Sequence, residues 1–346
     1  MDSETKKMIF VVGSSRSGTT MVGRILGLHS SVHTFGELHF FEQLVGADDI
    51  ASGEAWPRDK SLRMIERLLT RSRDGFFADF SAGKYREPAE KILDSAASMA
   101  PADMYAAFLF YEAERAGRGI PCEQTPRYLF FTQEILRAYP NARVINMIRD
   151  PRDVMLSQRS KWKRRFLGGG GIPMREAIRA WSNYHPWLVS RLWGSCVDHA
   201  MAIQNERFMS VQFEDLLADP DRQVRSICQF VGLDFEPEML NAPQVGSSSG
   251  KDSPDKRGIN KDRAGGWRKS GMPRGMRILC ERVCHDRMNR LGYGDLLNEG
   301  RFSPIIPVLM LSLPFKMMLA FAFNLNRFPR LLESVRRRVQ SKQGIS

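Results

Sequence analysis

A chain of 346 residues can bury one large core or two modest ones, and 42% hydrophobic with 26% charged residues is ordinary for a globular protein. The formal net charge of +12 suits a multiply anionic small ligand, an anionic membrane or nucleic acid. Zinc-finger spacing, a helix-turn-helix and stacking residues interleaved with basic ones are all missing, which sets nucleic acid aside.

Residues 1–7 are polar and the apolar run after them is too short for a signal peptide. The chain is therefore expected in the cytoplasm. Met8–Val12 predicts a buried strand over 8–13. It runs into Gly13-Ser14-Ser15-Arg16-Ser17-Gly18-Thr19-Thr20 and then a helix from about Gly18 to His29, striped by Met21, Val22, Ile25, Leu26 and Leu28. A strand, a glycine-bounded loop and a helix N-terminus point backbone N–H groups at one spot, where an anion can sit. The Gly13-x4-Gly18 spacing is that of a nucleotide phosphate loop. Thr19 stands where a kinase or ATPase carries lysine, and the loop's cation is Arg16. The loop thus suits a phosphate-like group other than a Mg-nucleoside triphosphate, with a nucleotide kinase or NTPase as the alternative.

Val32–Phe35 reads as extended and ends at Gly36-Glu37. Residues 56–115 read as helices, Gly119–Cys122 as a short strand before Glu123-Gln124-Thr125-Pro126, and Tyr128–Ala138 as a helix. Arg143–Ile148 predicts another buried strand. It ends in Arg149-Asp150-Pro151-Arg152-Asp153, where Pro151 can open a helix that carries Ser157. The basic run Arg159–Arg165 precedes Gly168–Gly171, a flexible loop; it is a solvated helix face or part of an acceptor lid. A helical block covers about 174–197, a strand Phe208–Phe213, and a helix about Asp221–Val231. Residues 241–266 read as a long loop, and a helix spans about 273–290. Alternating strands and helices predict an α/β fold, a P-loop-like central parallel sheet with helices on both faces. It is assigned as a single domain over 8–298 with an apolar and basic tail over 299–346.

The five cysteines are odd in number and form no disulfide framework, which favours a reducing compartment. Cys280, Cys284 and His285 lie in an amphipathic helical pattern with no second ligand pair at zinc spacing, which favours core packing over a metal.

Three segments together resemble the sulfotransferases that use 3′-phosphoadenosine 5′-phosphosulfate (PAPS), over about residues 8–295. Arg16-Ser17-Gly18-Thr19-Thr20 resembles their 5′-phosphosulfate loop. Arg149–Ser157, with Arg and Ser eight positions apart, resembles their 3′-phosphate motif. Lys261-Asp262-Arg263-Ala264-Gly265-Gly266-Trp267-Arg268 resembles their C-terminal basic loop. Thr125-Pro126 and Phe213-Glu214-Asp215-Leu216 fall where the family often has Thr-Pro and Tyr-Glu-Asp-Leu.

The resemblance implies PAPS as donor, no metal, and sulfuryl transfer to an acceptor hydroxyl or amine. The donor site it implies is Ser15, Arg16, Ser17, Gly18, Thr19, Thr20, Arg149, Ser157, Phe213, Lys261, Arg263 and Ala264. Arg16 would stabilise the leaving phosphate. The tyrosylprotein branch and related bacterial proteins place the catalytic carboxylate at Glu37; other branches use histidine, which makes His39 the runner-up. Two departures stand out: Gln124 replaces a frequent lysine, and Phe213 replaces a frequent tyrosine. The acceptor stays open among a lipid, a saccharide, a peptide tyrosine and a small metabolite. A non-catalytic nucleotide-binding membrane scaffold is the alternative of a different class.

Residues 302–325 are strongly apolar but carry Pro304, Pro307, Pro314 and Lys316, and Arg327, Arg330 and Arg336–Arg338 follow. An apolar segment with a basic flank suits an interfacial anchor, so 302–338 is expected to meet an anionic membrane surface and make the protein peripheral. Packing on the domain or on a second subunit is the alternative.

Overall fold

In the computed structural model, which describes residues 6–167, 172–244, 253–269, 271–294 and 303–324, six consecutive buried residues form β1 (Met8–Gly13). A strand covered on both faces carries apolar residues without alternation. Phe10 and Val12 enter one core with Phe35, Phe41, Tyr128 and Tyr139, while Ile9 and Val11 enter another with Val22, Ile25, Leu26 and Val211.

The chain continues through α1 (Thr19–Gly27), β2 (Val32–Thr34), a π turn (Phe40–Leu44), α2 (Ala47–Ser52), α3 (Arg58–Arg73), α4 (Arg86–Ser95) and α5 (Pro101–Arg115). Then come β3 (Ile120–Glu123), α6 (Thr132–Ala138), β4 (Ala142–Ile148), α7 (Pro151–Arg159), 3-10 turns (Lys161–Phe166), α8 (Met174–Ser182) and α9 (Pro186–Ala202). β5 (Phe208–Gln212), α10 (Phe213–Ala218), α11 (Pro220–Val231), the antiparallel pair β6 (Pro243–Gln244) and β7 (Ser253–Arg257), α12 (Gly266–Lys269), α13 (Arg274–Arg290) and α14 (Ile305–Ala322) complete the order.

The main sheet has the order β2-β3-β1-β4-β5, and every pairing in it is parallel. β1 and β4 run in register from Met8 opposite Ala142 to Gly13 opposite Met147, so their C-terminal loops emerge side by side. A third cluster joins α7, α9 and α13 through Val154, Met155, Trp193, Val197, Cys280 and Cys284.

Three sequence expectations change. Tyr128–Ala138 is not one helix: Pro126 opens 3-10 turns over Pro126–Phe131, and the α-helix begins at Thr132. Phe213 does not end β5 but opens α10. Residues 241–266 are not all loop, because β6 and β7 pair within them. Cys280 and Cys284, by contrast, are buried in α13 and belong to the third cluster, as the core-packing reading expected. The Gly168–Gly171 loop, the boundary expected at 298/299 and the arginines from Arg327 onward lie outside the described residues.

Gly13 has φ +143°, and a Cβ there would collide with the carbonyl oxygen of Met147 in the neighbouring strand. Gly13→Ala is expected to destabilise the protein by at least about 2 kcal/mol, through left-handed strain and the clash. A urea titration followed by circular dichroism measures this, and an unchanged midpoint would refute it.

Candidate active site

Among the described residues only two non-glycine positions have positive φ, Arg16 at 77° and His39 at 52°. Backbone strain of this kind, about 1–3 kcal/mol per residue, persists only where the surroundings impose it. Both residues lie in loops that follow strands of one parallel sheet, Arg16 after β1 and His39 after β2.

The loop from Ser14 to Gly18 closes through a bond from the Ser17 amide to the Ser14 carbonyl at 3.1 Å. Gly18, at φ +100°, is the N-cap of α1, and no side chain caps that terminus. A Cβ on Gly18 would lie 2.5 Å from the Phe213 ring. The Phe213 ring is buried, and the Arg149 guanidinium lies 4.3 Å from its centroid. Phe213, which stands where the family often has tyrosine, therefore packs between the loop and Arg149.

Arg16 Nε donates to Ser157 Oγ at 2.9 Å. Arg149 donates to the carbonyls of Arg16 at 3.3 Å and Arg263 at 2.8 Å, and lies 3.6 Å from Asp153. Ser157, expected beside Arg149, is thus held by Arg16, and the two anion loops interlock. Burial, then the charges of Arg164 and Arg149, push Arg16 down to about 10; Glu37 pulls it back, and Arg263 adds to the fall. The Ser17 hydroxyl and Arg149 Nε are buried without a hydrogen-bond partner.

The C-terminal basic segment is tied to the end of β4. Asp153 accepts from the amides of Gly265 at 2.9 Å and Trp267 at 2.8 Å, and Asp150 accepts from the Trp267 indole at 3.1 Å. Arg152, fully buried, bonds Asp150, Glu281 and the Tyr293 carbonyl. Glu214 accepts from the Asp150 amide and the Tyr293 hydroxyl. Lys261, expected to reach the ligand, donates to the Ala218 carbonyl at 3.2 Å, and Ala264 packs on the second core.

Glu37 and His39 follow β2. The Glu37 side chain is 43% exposed and lies 3.1 Å from His39 Nε2; His39 Nδ1 bonds the buried Glu42. Burial opposes His39's charge, but Glu42 and Glu37 more than compensate and push its pKa up to about 9. Burial would raise Glu37, yet its bond to His39, the His39 charge and Lys161 lower it below the usual carboxylate value.

Several contributing residues went unrecognised in the sequence. Buried Glu123 accepts from the Leu38 amide at 3.1 Å and from the Thr125 hydroxyl at 2.5 Å, while Thr125 Oγ1 accepts from the Leu38 and His39 amides. These bonds fix the backbone on which Glu37 and His39 sit. Burial pushes Glu123 up to about 8 despite the bonds it accepts. Lys161 and Arg164 also reach the cleft: burial, Arg16, Arg127 and Arg164 push Lys161 down to about 8 against the pull of Glu37. Their only sequence signal was the basic run.

A family model described as the sulfotransferase family matches residues 8–237. Human Sulfotransferase 2A1 is 32% identical over 130 residues, covering 34% of this chain and 43% of that protein. Protein-tyrosine sulfotransferase 2 of Gallus gallus is 20% identical over 250 residues, covering 70% of this chain and 56% of that one. The chain thus spans about half the length of these relatives. The sulfotransferase domain from the Synechococcus PCC 7002 olefin synthase superposes with a TM-score of 0.50 at 20% identity, covering 85% of this chain and 98% of that one, a likeness of fold.

His39 titrates near 9 when folded and near 6.5 when unfolded, so its stabilising charge is fully present below 6.5 and lost as pH rises through 9. His39→Gln is expected to cost on the order of 2–3 kcal/mol near pH 6 and much less near pH 10. Urea unfolding at both pH values checks this; a cost independent of pH would refute it.

Proposed function

The chain belongs to the sulfotransferase family, and from that premise we propose that it moves a sulfuryl group from PAPS to an acceptor hydroxyl or amine. The observation that carries this reading is the convergence of Arg16, Glu37 and Arg149, from three separate segments, on one sheet edge. Ligands of open α/β sheets bind at that edge, outside the C-terminal ends of the strands.

The residues present fit the donor. An uncapped helix N-terminus, a partnerless buried Ser17 hydroxyl, a partnerless Arg149 Nε and a crowd of guanidinium groups make a set that phosphate oxygens satisfy. When bound, the donor supplies the electrophilic sulfuryl group and leaves as adenosine 3′,5′-bisphosphate. Ser15, Ser17, Gly18, Thr19 and Thr20 would hold its 5′ end. Arg149, Ser157, Lys261, Arg263 and Ala264 would hold its 3′ end, with Phe213 supporting both loops from beneath.

Arg16 offers its charge to the leaving phosphate, the chief electrostatic task in transfers of this type. Glu37 accepts the proton of the acceptor hydroxyl. It is exposed to the cleft and ionised at neutral pH, whereas His39 is already protonated there and has no lone pair to offer. His39 instead holds Glu37 in place. A nucleotide kinase or NTPase is not favoured: Thr19 occupies the position of its lysine, and the family match points elsewhere.

Calorimetry with adenosine 3′,5′-bisphosphate, ADP and ATP, with and without Mg²⁺, tests the donor. Preference for the bisphosphate without metal is expected, weakened about 10–100-fold by Arg149→Ala. Preference for ATP with Mg²⁺ would overturn the reading. Glu37→Gln should leave bisphosphate affinity unchanged and slow labelled-sulfate transfer about 10²–10⁴-fold. Undiminished function in that variant would favour a non-catalytic scaffold.

A further inference from the structure

α14 is 18 residues long with a mean hydropathy of 2.0, and none of that segment is buried. A helix apolar on all sides belongs in a core or against lipid. α14 is nevertheless fastened to the domain along its whole length. Ile305 lies against Gly275, the Leu309 carbonyl meets His185 Nε2 at 2.9 Å, Lys316 donates to the Trp181 carbonyl at 3.2 Å, and Asn324 donates to Asn183 at 2.9 Å. Fastened in this way it lies along the domain, a placement that suits the surface of a bilayer rather than its interior. Its outer row, Val308, Leu311, Phe315 and Met318, recurs every three or four residues and is 55–81% exposed.

A groove adjoins the helix at Lys316. Trp162, Phe166, Met174, Ala177, Ile178 and Trp181 line a cavity of about 300 Å³ between the 3-10 turns and α8, and Lys316 lies 3.2 Å from the Trp181 ring centroid. The turns that wall the groove with Trp162 and Phe166 also carry Lys161 and Arg164, whose charges act on Glu37 and Arg16. The groove and the proposed reaction cleft thus share one segment, the turns over Lys161–Phe166.

Charge selects the occupant. Lys316 is the only charged residue in α14, and beyond residue 324 the sequence has Arg327, Arg330, Arg336, Arg337, Arg338 and Lys342 against one acid, Glu333. A second copy would bring like charges together, whereas an anionic lipid surface complements them. Aromatic residues beside such a face suit the boundary between headgroups and chains. We propose that the outer row of α14 and the adjoining groove dock the protein on an anionic bilayer, with one lipid alkyl chain in the groove. The docking stands apart from the sulfotransferase reading.

Co-sedimentation of the full chain with phosphatidylcholine vesicles, alone or with about a third phosphatidylglycerol, tests the docking. Binding to the anionic vesicles is expected, at least about tenfold weaker to neutral ones and in the Leu311→Asp/Phe315→Asp variant. Both residues are exposed, so the variant should keep its circular dichroism spectrum and its affinity for adenosine 3′,5′-bisphosphate. Chain-brominated lipid should quench tryptophan fluorescence, and Trp162→Phe with Trp181→Phe should remove most of that quenching. Wild-type protein left in the supernatant, equal binding by the variant, or a dimer that the two aspartates dissociate would each overturn the proposal. Bisphosphate binding measured without lipid reports separately on the sulfotransferase reading.

Discussion

The β1–β4 ladder is parallel over six residue pairs and ends with Gly13 opposite Met147, a contact that leaves no room for a Cβ. Because the strands end level, the loops leaving them start side by side. Gly18 then rests on the Phe213 ring, and that ring supports the Arg149 guanidinium. Arg149 in turn bonds the carbonyl of Arg16, which brings the second loop back onto the first. Each step is a close fit between backbone and a flat group, and each fails if the ladder slips by one residue, because a slip exchanges the two faces of β1.

Buried charge, rather than apolar packing, fastens the C-terminal segment to this platform. Burying Asp150, Arg152, Asp153 and Glu281 costs several kcal/mol per ion before pairing. The cost is offset by near-complete hydrogen bonding: Asp150 accepts from the Arg152 backbone, the Arg152 guanidinium and the Trp267 indole. A hydrophobic substitute could give equal stability, but it would not select two particular amides, those of Gly265 and Trp267, as Asp153 does. That choice sets the carbonyl of Arg263 where Arg149 reaches it. In Arg149–Asp153, then, one arginine serves the cleft and the other three charged residues hold the framework.

What could be read from the sequence had short range. β1, α1, β4 and the opening of α7 at Pro151 follow from local apolar runs, glycines and a proline, and they stand where those signals put them. The loop around Arg16 was legible because strand, glycine and helix signals fall within about a dozen consecutive residues. What escaped depends on contacts between distant segments. Glu123 read only as the residue after a short strand, yet it ends that strand and holds the Leu38 amide from 85 residues away. The bond from Arg16 to Ser157 joins segments 141 residues apart and had no local signal. The basic run at 159–165 read as one surface because its pattern shows no period. The 3-10 turns separate it into cations at the cleft and aromatics at the groove.

The same long-range contacts explain why a histidine tolerates a left-handed backbone. His39 at φ 52° would relax without support, and the support is Thr125 Oγ1 on its amide with Glu123 behind that hydroxyl. Once held, the imidazole lies between Glu37 and Glu42 and keeps its proton well above neutral pH. Its hydrogen bond and its charge lower Glu37, against the burial that would raise it, and so favour the ionised carboxylate. Arg16, lowered first by burial and then by its cationic neighbours, is near enough to that same carboxylate to feel its charge. The cleft thus holds the Glu37–His39–Glu42 group beside several cations, and the repulsion that Arg164 and Arg149 exert on Arg16 is built into the fold.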